Sequence, residues 1–280
     1  VDTPSDRPSP SPSPSPSPSL QLSASGHVVG VDIGGTGVKA GLVDLTRGRL
    51  VGERVRLETP RPATPSAIAD TVAELLGRLE HDMVGITVPA VVRHGVVGTA
   101  ANIDASWIGV DADALFSERL GVRCHVLNDA DAAGLAEMRY GAGCDRSGVV
   151  ITLTLGTGIG TAVFTDGVLV PNTELGHLEL LGGDAEHYAA ASVREREGLS
   201  WKEWGRRVDR YLNHLEMLFS PELFVIGGGV SKKPDRFFPH LEVATPVVPA
   251  ALANHAGIVG AALSISESDV PSPSPSGRMT

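Results

Sequence analysis

Hydrophobic positions change their spacing several times along the chain, and each change marks an element. Val28, Val29, Val31 and Ile33 form a short apolar run that meets Gly34, Gly35 and Gly37. Behind the glycines, Val38, Ala40 and Leu42 alternate with Lys39, Gly41 and Val43. Alternation on both sides of a glycine turn predicts strand, turn and strand, not a strand feeding a helix. Leu50 to Leu57 reads as a third antiparallel strand. Thr64-Pro65 opens a helix, with Thr64 as cap and Pro65 in the first turn. Its inward face is Ile68, Val72, Leu75, Leu76 and Leu79. Met83 to Val88 is a buried strand closed by Pro89, Arg93 to Val97 a turn and strand, and 101–107 a polar loop. Val122 to Leu127 is the next strand, and a helix follows from Ala130 to Arg139.

The opening pattern then returns. Ile151 to Phe164 reads ITLTLGTGIGTAVF, and Gly156-Thr157-Gly158 superposes on Gly35-Thr36-Gly37. A repeated strand–glycine turn–strand at about one domain length points to a duplicated domain whose two loops face one phosphorylated ligand. Ser200 and Glu203 form a capping box for a helix through Phe219, with Val208, Leu212, Leu215 and Phe219 inward. Leu223 to Ile226 is a buried strand that runs into Gly227, Gly228 and Gly229. A last helix, Asn254 to Leu263, is rich in small residues and suited to close packing.

Composition adds boundaries. The chain has 280 residues, room for two domains with real cores. Segments 1–25 and 266–280 carry Ser-Pro repeats and hold half of the prolines; with so little to bury they are expected to be disordered tails. The folded part divides into 26–127 and 128–265. No charged-then-apolar leader is present, and the most apolar run, 148–164, is broken by Thr and Gly, so neither secretion nor a membrane span is expected. Cys124 and Cys144 form no CxxC, which fits a reducing cytoplasm. A net charge of −10 excludes a generally basic nucleic-acid binder, and a polyanionic ligand would need a local basic patch.

The candidate chemistry sits at the turns. Glycines permit positive φ and leave backbone N–H groups bare, so both loops can wrap a phosphate. Neither fits the Walker A pattern, and the second continues as strand, so a dinucleotide fingerprint lacks its helix. Asp32 can hold Mg²⁺ through water and Lys39 can meet phosphate charge. Asn128-Asp129-x-Asp131 lies where a strand ends and a helix begins. Asp129 as a plain N-cap explains one acid but not the cluster, and strand C-terminal ends are where open α/β folds bind ligands. Glu174 and His177, three apart, can face one polar ligand such as a sugar. Lys232, Lys233 and Arg236 follow the glycine turn, and with Lys39 and the Arg93-His94 turn they can form a track for a linear phosphate chain.

In order, DIGGT (32–36), Asn128-Asp129, LGTGIG (155–160), ELGH (174–177) and IGGGVS (226–231) resemble the ROK family of sugar kinases, and the likeness spans 28 to 264. It implies an α/β, actin-like (ribonuclease-H-like) duplicated two-domain sugar kinase fold. TVPAVVRHGVV (87–97), AANIDASWIG (100–109), LNDADAAGLAEMRYGAG (127–143), LVPNTELGH (169–177) and GGGVSKKPDRF (227–237) resemble the polyphosphate-using glucokinases of that family. Typical members carry a cysteine-rich zinc motif after the sugar-loop His; no cysteine follows His177, in keeping with that branch.

The resemblance implies phosphoryl transfer from polyphosphate, from ATP or from both to the 6-hydroxyl of glucose, with mannose as a further acceptor. Asp129 would be the general base; Asn102, Asn128, Glu174, His177 and Glu186 would hold the other hydroxyls. Gly34, Gly35, Thr36, Gly156, Thr157 and Gly158 would cradle the phosphoryl group, with Mg²⁺ near Asp32. Gly227, Gly228 and Gly229 match the adenosine-side turn, and a cytoplasmic homodimer is implied. The alternatives are a strictly ATP-dependent ROK hexokinase and a non-catalytic sugar sensor. Repressor relatives carry a helix-turn-helix ahead of the first loop, where this chain has its Ser-Pro tail.

Overall fold

The computed structural model describes residues 27–77, 79, 81–100 and 103–267. The chain enters β1 (His27–Gly34), β2 (Gly37–Asp44) and β3 (Arg49–Leu57), an antiparallel meander. Helix α1 (Pro65–Leu76) starts at Thr64, whose side chain accepts the Ala67 N–H, with Pro65 in the first turn. It stops at Gly77, so Leu79 packs from the loop beyond it, partly buried. Next come β4 (Met83–Val88), the small hairpin β5 (Val92–Arg93) and β6 (Val96–Val97), α2 (Ala112–Leu120) and β7 (Arg123–Asn128). The first sheet has the order β3-β2-β1-β4-β7, with β4 and β7 parallel to β1.

Helix α3 (Asp129–Tyr140) leads into β8 (Val149–Leu155), β9 (Ile159–Thr165) and β10 (Val168–Val170). After the hairpin β11 (Glu179–Leu180) and β12 (Gly183–Asp184) come short helices α4 (Glu186–Ala189) and α5 (Ala191–Arg196). Then follow α6 (Trp201–Phe219), β13 (Leu223–Gly227), β14 (Val247–Pro249) and α7 (Ala256–Glu267). The second sheet runs β10-β9-β8-β13-β14, antiparallel at one side and parallel at the other. It repeats the order of the first, as the recurring glycine turn predicted.

Each sheet buries two faces. The outer face of the first meets α1 and α2 through Ile68, Leu75 and Phe116, with Trp107 of the 3₁₀ turn Ala105–Trp107 in the same core. That of the second meets α6 through Trp204, Val208, Leu212 and Leu215, behind the Ser200–Glu203 capping box. Between the sheets lie α3 and α7, packed on one another. Helix α7, from the far end of the chain, lies on β1 and β4 of the first sheet. Glycines permit that approach. Gly30 is in register with Gly41 and Gly85, and a Cβ at Gly30 would stand 1.9 Å from the Ile258 carbonyl oxygen. At Gly85 it would stand 1.7 Å from the Ala261 oxygen, and at Gly260 1.7 Å from the Ala132 oxygen of α3.

The last helix begins at Ala256, after a 3₁₀ turn at Ala253–His255, rather than at Asn254. It runs past the expected tail boundary to Glu267, with Ser266 buried and its hydroxyl donating to the Leu263 oxygen. The remaining tail residues lie outside the described residues, as does Asn102. Among the described residues no helix is long and apolar enough to cross a membrane.

Candidate functional site

Asp129 is the first residue of α3, delivered to the C-terminal edge of the first sheet by β7. The cap of α3 is not Asp129 but its neighbour. Asn128 is buried, its Oδ1 accepts from Ala130 N (2.8 Å) and Asp131 N (3.0 Å), and its Nδ2 donates to the Ala90 oxygen (3.1 Å). One Nδ2 hydrogen is then left for a ligand. Asp129, released from capping, keeps part of its side chain open to a cavity of about 450 Å³. Burial, then the charge of Asp32, push its pKa up to about 7.

Both glycine loops line that cavity, through Gly34 and Gly35 on one side and Gly156, Thr157 and Gly158 on the other. Their glycines do not adopt positive φ; among the three turns it is Gly228 that does, at 84°. What the loops need is space. A Cβ on Gly158 would stand 2.3 Å from Glu186 Oε2, and one on Gly37 would meet the Arg56 guanidinium at 2.5 Å. Arg56 in turn donates from Nη2 to the Thr36 oxygen at 2.8 Å, holding the exposed first loop. Gly35 and Gly156 face open space.

The opposite wall carries Glu174, His177 and Glu186. A 3₁₀ turn at Leu175–His177 brings Glu174 Oε2 to 3.9 Å from His177 Nε2. Glu186, opening α4, accepts from Ile159 N at 3.2 Å and so ties itself to the second loop. Sequence reasoning missed Asp184, whose Oδ2 lies 2.9 Å from His177 Nδ1 across the β11–β12 hairpin. Its hydrogen bond pushes the His177 pKa above the ordinary value, while Nε2 faces Glu174.

The basic residues separate. Lys39 is spent on Asp32, Nζ to Oδ2 at 2.8 Å, and both line a second cavity of about 330 Å³ that also touches Asp129, Gly227 and Gly228. Lys233 lines a third, of about 370 Å³, which shares Gly156 and Thr157 with the main cleft. Ser192 and Arg194, which nothing in the sequence singled out, line it as well; the Arg194 guanidinium lies 4.1 Å from the Trp201 ring centroid. Lys232 is exposed. Arg93 and His94 stand on the β5–β6 turn, whose Gly95 faces Asp113, while Lys39 and Lys233 line different cavities.

The ROK family model matches residues 28–190. A polyphosphate glucokinase of Mycobacterium tuberculosis is 53% identical over 239 residues, covering 85% of this chain and 90% of that protein. The inorganic polyphosphate/ATP-glucomannokinase of Arthrobacter sp. strain KM superposes with a TM-score of 0.83 at 54% identity, covering 86% of this chain and 99% of that one. A ROK family glucokinase of Streptomyces griseus, in complex with glucose and AMPPNP, superposes at 0.72 with 27% identity over 85% of this chain and 98% of its own. The duplicated α/β architecture expected from the motifs is therefore shared with known kinases.

Proposed function

The chain belongs to the ROK family, and from that membership we propose that it is a glucokinase that moves a phosphoryl group from polyphosphate, and also from ATP, to the glucose 6-hydroxyl. One observation carries the reading: Asp129, with its raised pKa, stands in one cleft with both glycine loops and the Glu174–His177–Glu186 wall. A carboxylate titrating near neutrality is matched to taking a proton from a hydroxyl. Glu174, His177, Glu186 and the free hydrogen of Asn128 orient the sugar so that this hydroxyl points at Asp129. The N–H groups of Gly34, Gly35, Thr36 and Gly156 to Gly158 stabilise charge on the phosphoryl oxygens.

Asp32 fits a hard divalent cation, since it offers only carboxylate oxygen at the cavity wall beside Thr87 and Lys39. Mg²⁺ bound there would offset donor charge. On the donor side, Arg194 and Lys233 suit a linear phosphate chain leaving past Thr157, while Gly227 to Gly229 suit a nucleotide. A homodimer rests on the family likeness, and light scattering tests it.

The test is glucose 6-phosphate production with polyphosphate or ATP as sole donor, across salt concentrations. Activity with both, and a steep loss of the polyphosphate rate with salt, is expected. Activity with ATP alone would leave an ATP-dependent hexokinase, and none with either donor would sink the assignment.

A further inference from the structure

We propose that Asn172 is a positioning residue for the sugar-holding wall, a clasp that ties the Glu174 loop of the second lobe to the first lobe. This deepens the glucokinase reading and rests on it. Asn172 has a left-handed backbone, φ 57°, a conformation that Asn tolerates better than most residues. Its side-chain amide meets one residue twice: Oδ1 accepts from Val92 N at 2.8 Å and Nδ2 donates to the Val92 oxygen at 2.8 Å. The amide thereby imitates a neighbouring strand for β5, eighty positions away in the chain. The Asn172 N–H donates to Asp131 Oδ2 at 2.8 Å. Asp131 is 2% exposed at the head of α3, and its Oδ1 finds no partner among the described residues.

Among the described residues, the hydrogen bonds of Thr173 and Leu175 hold the rest of the loop to its own lobe. Thr161 of β9 donates to the Thr173 oxygen and accepts from Leu175 N (3.1 Å), and Thr173 Oγ1 donates back to the Thr161 oxygen (3.3 Å). Glu174 thus hangs between a tie to β9 and the Asn172 tie to β5. The stretch that Asn172 grips also positions the base, because the Ala90 oxygen accepts from Asn128, the residue capping α3 just before Asp129. One short backbone segment therefore sets the proton acceptor and the opposing wall against each other. A displacement of about 1 Å in such a pair is costly to the rate.

Asn172→Gly deletes both side-chain bonds but keeps the left-handed backbone and the bond to Asp131. The expected result is a KM for glucose raised about tenfold, through displacement of the Glu174 loop from its productive position, with the donor KM held within about twofold. Hydrogen exchange at the Val92 amide should quicken, and Tm should fall by a few degrees. Unchanged glucose KM, equal rises for glucose and donor, or a lower Tm with unchanged KM would each overturn the clasp. Calorimetric glucose binding to the full-length wild type keeps the two readings apart. If the wild type fails to bind glucose, the glucokinase reading falls and takes this inference with it. If wild type and Asn172→Gly bind equally, the clasp alone falls.

Discussion

Replacing Asp129 with Asn separates what this carboxylate does for transfer from what it costs the fold. Burial, then the Asp32 charge, raise its pKa from 3.8 to about 7. The folded protein therefore holds a proton here that the unfolded chain releases at ordinary carboxylate pH. Stability from that proton is complete below pH 3.8 and is lost as pH rises to about 7. At about 1.4 kcal/mol per pH unit the loss has a ceiling of about 4 kcal/mol, roughly 2 of which develop between about pH 5.5 and 7. Asn escapes this loss, and its side-chain oxygen can still accept the Ala130 N–H, now 2.9 Å from Asp129 Oδ1. For a core of this size 1 kcal/mol is about 2–4 °C in Tm. The variant's Tm advantage should thus be several degrees larger at pH 8 than at pH 5.5. Circular-dichroism melts of both proteins without ligand give the difference, in which titrating groups common to both cancel. Transfer should meanwhile fall by about a hundredfold or more, and the wild-type rate should drop about tenfold per pH unit below 7. An advantage that is flat with pH, or a variant less stable at pH 8, refutes the linkage. A retained rate of more than a few per cent refutes the base.

Other outcomes follow from single contacts. Glu137 is buried and accepts N–H groups from Ala142 (2.9 Å), Ala251 (3.0 Å) and Leu252 (2.7 Å); Glu137→Ala should cost about 3 kcal/mol in urea unfolding. Gly85→Ala drives a methyl group against the α7 backbone and should either prevent folding or cost more than about 3 kcal/mol; a wild-type Tm would contradict the packing described. Asp184→Ala removes the hydrogen bond that raises His177, so an NMR titration should show the imidazole losing its proton at lower pH. Arg194→Ala with Lys233→Ala should raise the KM for polyphosphate more than that for ATP, and equal effects would remove the track.

What could be read from the sequence was whatever depends on near neighbours. The two strand–turn–strand units, the Thr64 and Ser200 caps and the position of Asp129 follow from spacing along a few residues, and the structure contains each. Asn172, Asp184 and Arg194 stayed hidden because their meaning comes from what lies opposite: a backbone eighty positions away, a histidine across a hairpin, a cavity wall made by another loop. The return of α7 to the first sheet escaped for the same reason, since glycines at positions 30, 85 and 260 reveal a close approach without naming the partner.

Asp32 and Lys39 lie between these cases. Sequence reasoning gave each its own ligand, a cation for one and a phosphate for the other. Strand register sets them directly opposite, and they neutralise each other at 2.8 Å. A phosphate arriving alone would have to draw Lys39 away and leave Asp32, already repelled by Asp129, without its partner. A cation arriving alone would compete with the ammonium for one carboxylate. A phosphate and a cation together exchange one ion pair for two, with no charge stranded. If the proposed cation and phosphate bind here, the pair would favour the combined ligand over either part, a selectivity that neither residue carries by itself.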